Sequence, residues 1–374
     1  MVSRLKFDIG NEIDKQLSYL PTYIWESDST TFCDLNMAGG QFIQKVGEWL
    51  RKYGHSDDNI RKRVFGFSEK PLYLSYIKSN PSLIGTFDIY NENITMKFDV
   101  QLGNDPYQKS VGPKKTEPIW DDLIIKRISL LNEGGFLALI HPSGWRNVDG
   151  RFKHIQDLFK SKQIHYLEMH DTNDGLKTFG YATRYDLYVI QNLLSYKKSK
   201  IKFEDGIEMD LDVSKMNFIP NRYSKVIENI IYNGVGDKVN VLYSRSDYGS
   251  DKPHMNNEKT NEFKYPCIQN VNVNDDISCT WYSNTKSKGH FGIPKVIFGR
   301  KSSGVFFDKN GDYGLSQDCA AIIDSNENLE KIFKVLKSEN FIEFMKYFDF
   351  GGVNDRYNRK IIAEFKKDFW KEFI

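Results

Sequence analysis

The chain has 374 residues, 40% hydrophobic and 27% charged, with 52 basic residues nearly balanced by 50 acidic ones. That is enough apolar material for a large core, so wholesale disorder is excluded, and the length suits two domains. No run nears the ~18 apolar residues of a membrane helix, the opening MVSRLKFDIGNEIDKQ lacks a signal peptide's apolar stretch, and four scattered cysteines without a CxxC pair argue against zinc or a disulfide framework. The expectation is a reducing, cytoplasmic compartment, with no membrane and no metal.

In chain order, apolar runs at 30–35, 63–67, 83–87, 98–102, 135–141, 164–169 and 185–192 are short and lack clean alternation, as strands buried on both faces should. Helical patterns separate them. Residues 40–54 put Phe42, Ile43, Val46, Trp49 and Leu50 on one face and close at Gly54; residues 118–135 repeat the pattern and end in a glycine pair. The alternation predicts an α/β domain over 1–195 with a seven-stranded, mostly parallel sheet. Its last strand, near 185–192, is expected antiparallel, because the preceding loop leaves no room for a crossover helix. From 196 to about 325 the chain turns polar, with short strand-like pieces, and it regains helical periodicity in the last 45 residues. Residues 196–374 therefore read as a smaller α+β domain with C-terminal helices.

Ligands of open α/β sheets sit beyond the carboxyl ends of the strands. Two such turns stand out. In CDLNMAGGQF (33–42) a strand ends at Asp34 and small residues lead into a helix, whose first N–H groups are open to a ligand. In GNDPYQ (103–108), Asn104, Asp105, Pro106 and Tyr107 follow the fourth strand.

In this order, the two turns resemble those of the amino-methylating (adenine-N6) DNA methyltransferases of restriction–modification type. The likeness continues through PIWDDLIIKRISLLNEGGFLALIHPSGWR (118–146) and TFGYATRYDLYVIQN (178–192), and more loosely through HFGIPKVIFGRKSSGVFFDKNGDYG (290–314). The resemblance implies a Rossmann-like methyltransferase sheet, S-adenosylmethionine as cofactor, double-stranded DNA as substrate, and a second domain for target recognition. The catalytic turn would be Asn104, Asp105, Pro106 and Tyr107. There the Asn104 side chain and the carbonyl of residue 105 accept hydrogen bonds from the adenine amino group, and Tyr107 stacks on the flipped base. Cofactor contacts would fall to Asp34, Ala38, Gly40, Phe42, Ser68, Glu69, Thr86 and Asp88. Lys286, Lys288, Arg300 and Lys301, in two basic turns, would hold phosphates. His141 reads as a loop histidine, since this transfer needs no prior base.

Several positions depart from the family pattern. Leu35 replaces a proline, and Ala38 a glycine, which is tolerable if its φ is negative. Ser68 and Thr86 stand where acids hold the ribose and adenine, with Glu69 and Asp88 nearby as substitutes. Each lost charge-assisted bond is worth roughly 1.5–3 kcal/mol, so cofactor binding should weaken about tenfold or more per loss. Asp105 replaces a proline. It adds a carboxylate whose desolvation on base entry costs ~1–3 kcal/mol, so Asp105→Pro should raise the rate. The reading put first is a DNA adenine-N6 methyltransferase. The alternative is a catalytically impaired protein of the same fold, acting as a DNA-binding or partner-binding subunit.

Overall fold

The computed structural model describes residues 8–113, 115–148, 150–243, 252–272, 274, 276–299, 304–316, 318–350 and 357–374. The chain forms two units, 1–219 and 220–374. The division falls later than the boundary expected at 195, because two further strands join the first unit's sheet.

That unit contains, in order, α1 (Gly10–Ser18), α2 (Thr22–Glu26), β1 (Phe32–Asp34), α3 (Gln41–Lys52), α4 (Asp57–Arg63), β2 (Val64–Ser68), α5 (Pro71–Ser79), β3 (Thr86–Ile89) and β4 (Phe98–Gly103). An exposed hairpin of β5 (Gln108–Gly112) and β6 (Lys115–Pro118) follows, then α6 (Trp120–Ser129), β7 (Leu131–Pro142), α7 (Lys153–Ser161), β8 (Lys162–His170), α8 (Thr172–Phe179), β9 (Tyr185–Leu194), β10 (Ser199–Lys202) and β11 (Glu208–Leu211). Nine strands make one sheet in the order β11-β10-β8-β9-β7-β4-β1-β2-β3. From β3 to β7 every pairing is parallel, whereas β9 runs antiparallel to both β7 and β8. The seven-stranded core and its antiparallel strand are therefore as expected. The loop before that strand does contain a helix, the eight-residue α8, but it is no crossover, since β9 runs antiparallel to β8.

The strands form where the apolar runs lie, and β4 and β7 carry almost continuous burial, as central strands covered on both faces must. The α3 stripe buries Phe42, Ile43, Val46 and Leu50, each contributing about 1.5–3 kcal/mol of transfer free energy. One strand begins later than the sequence suggests. Leu83 and Ile84 are buried in the approach to β3, and Leu83 packs under Gly40, where an added Cβ would lie 2.8 Å from its Cδ1.

The second unit is α+β, as expected. Asn240–Leu242, Cys319–Ile323, Lys295–Gly299 and Val305–Asp308 form an antiparallel four-stranded sheet, and a second, smaller sheet lies among Met255–Asn256, Trp281–Ser283, Tyr265–Ile268 and Gly314–Leu315. A buried Lys295–Asp308 ion pair of 2.7 Å ties two strands of the first sheet. Helices Asn326–Lys337 and Glu339–Met345 lead to an aromatic cluster in which Phe341 and Phe365 meet Phe369 of the C-terminal 3-10 turn. Among the described residues no helix is long and apolar enough to cross a membrane.

Candidate functional site

The parallel pairing of β1 with β4 sets Cys33 beside Gln101, so the ends of both strands reach the same edge of the sheet. A cleft at that edge is lined by Ile9, Asp34, Asn36, Ala38, Gly39, Gly40, Gln41, Phe42 and Asn104. Chain segments some 65 residues apart in sequence thus meet around one space.

On the β1 side, Asp34 is buried and its Oδ1 accepts the N–H of Asn36 at 3.1 Å, which folds the chain back at the strand end. Met37 N–H donates to the Phe67 carbonyl at 2.8 Å and ties the turn to β2. Gly40 takes a left-handed φ of 78° and precedes α3, and as the N-cap residue it supplies no side-chain cap to the first N–H groups of the helix. Ala38 is not among the residues of positive φ, and its methyl group is therefore tolerated. Leu35 is absorbed into an apolar cluster with Cys33, Phe98 and Leu130.

On the β4 side, Asn104 Oδ1 is buried and has no hydrogen-bond partner among the described residues. Pro106 and Tyr107 are half-buried beside it, and the Tyr107 carbonyl accepts the N–H of Ile119 at 3.2 Å. The structure corrects the reading of Asp105. Its carboxylate is not a charge waiting for the base; it is 4% exposed and held by Arg127 of α6. Arg127 Nε donates to Oδ2 and Nη2 to Oδ1, both at 2.7 Å, while Nη1 donates to the Leu102 carbonyl at 3.1 Å. A longer contact of 3.5 Å joins Nη2 to Asp34 Oδ1. Burial opposes the Arg127 charge, but Asp105 and Asp34 outweigh it and hold the guanidinium more firmly protonated than usual. Burial pushes Asp34 up to about 6, against the lowering pull of the Arg127 charge and the Asn36 N–H.

Arg127 is the residue that sequence reasoning missed. In WDDLIIKRIS it resembles any arginine near a helix C-terminus. The available signal was Asp105 itself, an acid in a turn that directly follows a buried apolar strand. His141 also differs from expectation: it lies within β7, fully buried, stacked on Trp120 at 4.7 Å between ring centroids. Burial lowers its pKa to about 4, so it is a neutral core residue.

The acid-bearing loops are less tightly built. Ser68 ends β2 and is buried; Glu69 follows and is exposed. Thr86 is a correction. It pairs with Phe65 and opens β3, so it lies toward the amino edge, where its hydroxyl donates to the Arg61 carbonyl. The residue level with Ser68 is Ile89, and the first position beyond β3 is Tyr90. Asp88 lies within the strand, exposed, and its Oδ1 accepts the N–H of Ile89.

In the second unit Lys286 and Lys288 are exposed, with the Lys286 ammonium 5.2 Å from the Tyr265 ring. Arg300 and Lys301 lie outside the described residues. Among the described residues no group of three His, Cys, Asp or Glu side chains could hold a metal ion.

No family model matches the sequence. A Mycoplasma pneumoniae protein named as an uncharacterized adenine-specific methylase is 31% identical over 138 residues, 33% of this chain and 32% of that one. The chain thus spans about a third of the length of that relative. Among solved structures, the type IIG restriction endonuclease BpuSI aligns with 98% of this chain and 60% of its own at 11% identity, with a TM-score of 0.47. The modification subunit of a putative type I restriction enzyme from Vibrio vulnificus aligns with 53% of this chain and 46% of its own at 14% identity, with a TM-score of 0.41. The sequence likeness, over its third of the chain, is to a protein that bears the name of an adenine-specific methylase.

Proposed function

We propose that the chain is a DNA adenine-N6 methyltransferase that uses S-adenosylmethionine and acts on a flipped adenine in double-stranded DNA. The observation that carries this reading is the buried Asn104 Oδ1, without a hydrogen-bond partner among the described residues, on a residue that lines the same cleft as the 34–42 turn. An orphaned buried acceptor is costly, and it is accounted for if a ligand amine satisfies it.

The residues fit the cofactor. The uncapped start of α3 suits its carboxylate, the small side chains of Ala38, Gly39 and Gly40 allow close approach, and exposed Glu69 is the acid nearest the end of β2 in sequence. The bound cofactor would supply an electrophilic methyl group. The chain's own work is to prepare the amine. Adenine's amino lone pair is delocalised into the ring, and two acceptors that draw its N–H groups out of plane restore nucleophilicity. Asn104 Oδ1 is one, and the carbonyl of Asp105 is the other. Tyr107 offers its ring face to the extruded base. Because Arg127 already neutralises the Asp105 carboxylate, base entry need not desolvate a free charge, which supports the enzyme reading over the impaired one. Lys286, Lys288, Arg300 and Lys301 are assigned to phosphate contact, residues 220–374 to target recognition, and a partner subunit is compatible with this role.

The test is transfer of labelled methyl to duplex DNA. Asn104→Ala should lower the rate by about a thousandfold or more, leaving DNA affinity nearly unchanged, since phosphate contacts lie elsewhere. Full activity in that variant would remove Asn104 from the mechanism. Calorimetry that detects no S-adenosylmethionine binding to the native chain would overturn the proposal.

A further inference from the structure

The geometry points to Arg127 as a positioning residue that clamps the 102–105 turn and thereby aims Asn104. This inference rests on the proposed role of Asn104 and deepens it.

One guanidinium touches the turn at both ends. Nη1 holds the Leu102 carbonyl, where β4 ends, and Nε and Nη2 hold the Asp105 carboxylate. Asn104 lies between these anchors, with no hydrogen-bond partner for its Oδ1 among the described residues. Gly103, at φ 156°, is shaped to the clamp: a Cβ there would lie 2.6 Å from Arg127 Nη2 and 3.0 Å from Asp34 Oδ1. Three of the four successive residues 102–105 are thus fitted around one cation, one by its carbonyl, one by its missing side chain and one by its charge. The remaining one is the acceptor. The 3.5 Å contact to Asp34 extends the clamp to the strand that begins the opposite wall of the cleft. A planar fork with donors on three nitrogens can bridge these groups, and an ammonium cannot. Surface charge pairing would not require this arrangement, because the Arg127 side chain is 1% exposed.

The test separates aiming from folding. Three variants of the full chain are compared with wild type: Arg127→Lys, the paired Asp105→Leu/Arg127→Met, and Ile124→Ala, which opens a cavity on the same helix. The paired variant removes the Asp105–Arg127 ion pair as a whole and is expected to fold, because an apolar pair can replace a buried ion pair without loss, while Asp34, deprived of its 3.5 Å contact to Arg127, takes up a proton in its buried site. Single-turnover methyl transfer, at saturating S-adenosylmethionine and duplex DNA, should fall roughly 100-fold in the paired variant and in Arg127→Lys, with Kd for the cofactor and DNA changed less than about threefold. Ile124→Ala should lose stability and keep its rate. A paired variant that folds and transfers at the wild-type rate overturns the clamp. If the wild type transfers no methyl, the proposed function fails, and the clamp is then judged by NMR alone. The Asn104 side-chain amide resonance should shift or broaden in the paired variant and stay in place in Ile124→Ala. An Asn104 signal unmoved in the paired variant refutes the inference whatever the activity.

Discussion

The turn after β4 and the edge formed by β2 and β3 both depart from the residue pattern that the sequence resembles, and the fold treats them in opposite ways. Asp105 is buried, fully paired and bracketed by Arg127, so an unusual residue has acquired a matching partner. Glu69 and Asp88 are exposed at positions where an acid would have to reach inward. A substitution in the interior must be compensated locally, because an unpaired buried charge costs several kcal/mol. One at an open edge can persist without compensation, because water solvates whatever is there. The β4 turn is therefore expected to be intolerant of change and the β2–β3 edge permissive.

The largest expected effect tests the interior half of that contrast. Arg127→Ala strands two carboxylates and Asp105→Pro strands a guanidinium, and each should lower unfolding free energy by about 3–5 kcal/mol in urea titrations. Asp105→Pro, which looks like a repair when only the sequence is read, should thus impair the protein. A neutral or stabilising Asp105→Pro would show that the pair is dispensable. Gly103→Ala should cost about 1–3 kcal/mol by overpacking against the guanidinium, and that cost should shrink in an Arg127→Met background.

Acid titration gives the next effect. His141 is neutral in the fold, with its pKa lowered to about 4 by burial against an ordinary value near 6.5. Its stabilising contribution is fully present above pH 6.5 and is lost as pH falls toward 4, about 3 kcal/mol in all. Asp34 acts in the opposite sense. Its pKa is raised to about 6, so its contribution is present below pH 4 and is lost as pH rises through 6. The two partly cancel in the wild type. His141→Phe should therefore flatten the acid loss, and Asp34→Asn should steepen it. Identical pH profiles for all three proteins would mean that neither group is shifted.

Most of the sheet was legible in the sequence, because buried parallel strands leave continuous apolar runs and seven of these runs became seven strands. The two turns were legible for the same reason: small or polar residues at the ends of such runs are conspicuous. Residue 127 was not, since an arginine near a helix end is the ordinary solvated arrangement and only its distance from Asp105 in space distinguishes it. Thr86 was misplaced because Leu83 and Ile84 look like a strand, whereas they are core residues of the loop that supports Gly40. The strands at 199–202 and 208–211 carry too many charges to stand out in a polar stretch, and they sit at the sheet margin, where one face stays wet.

The smallest effects probe the permissive edge. Glu69→Gln should weaken S-adenosylmethionine by no more than about fivefold, because an exposed acid contributes at most ~1 kcal/mol to a charged or hydrogen-bonded partner. Asp88→Asn should do less, since its carboxylate accepts the neighbouring Ile89 N–H and the amide oxygen of asparagine can do the same. Thr86→Ala should change cofactor affinity not at all. Its hydroxyl is occupied by the Arg61 carbonyl, and it lies level with Phe65, three residues short of the Ser68 position where β2 ends. At about 3.3 Å per strand residue, that offset puts it roughly 10 Å from the carboxyl edge of the sheet. Calorimetry on the three variants ranks them directly. A Thr86→Ala loss larger than that of Glu69→Gln would mean that the cofactor approaches the sheet from its other edge, and the cleft between Asp34 and Asn104 would then need another ligand.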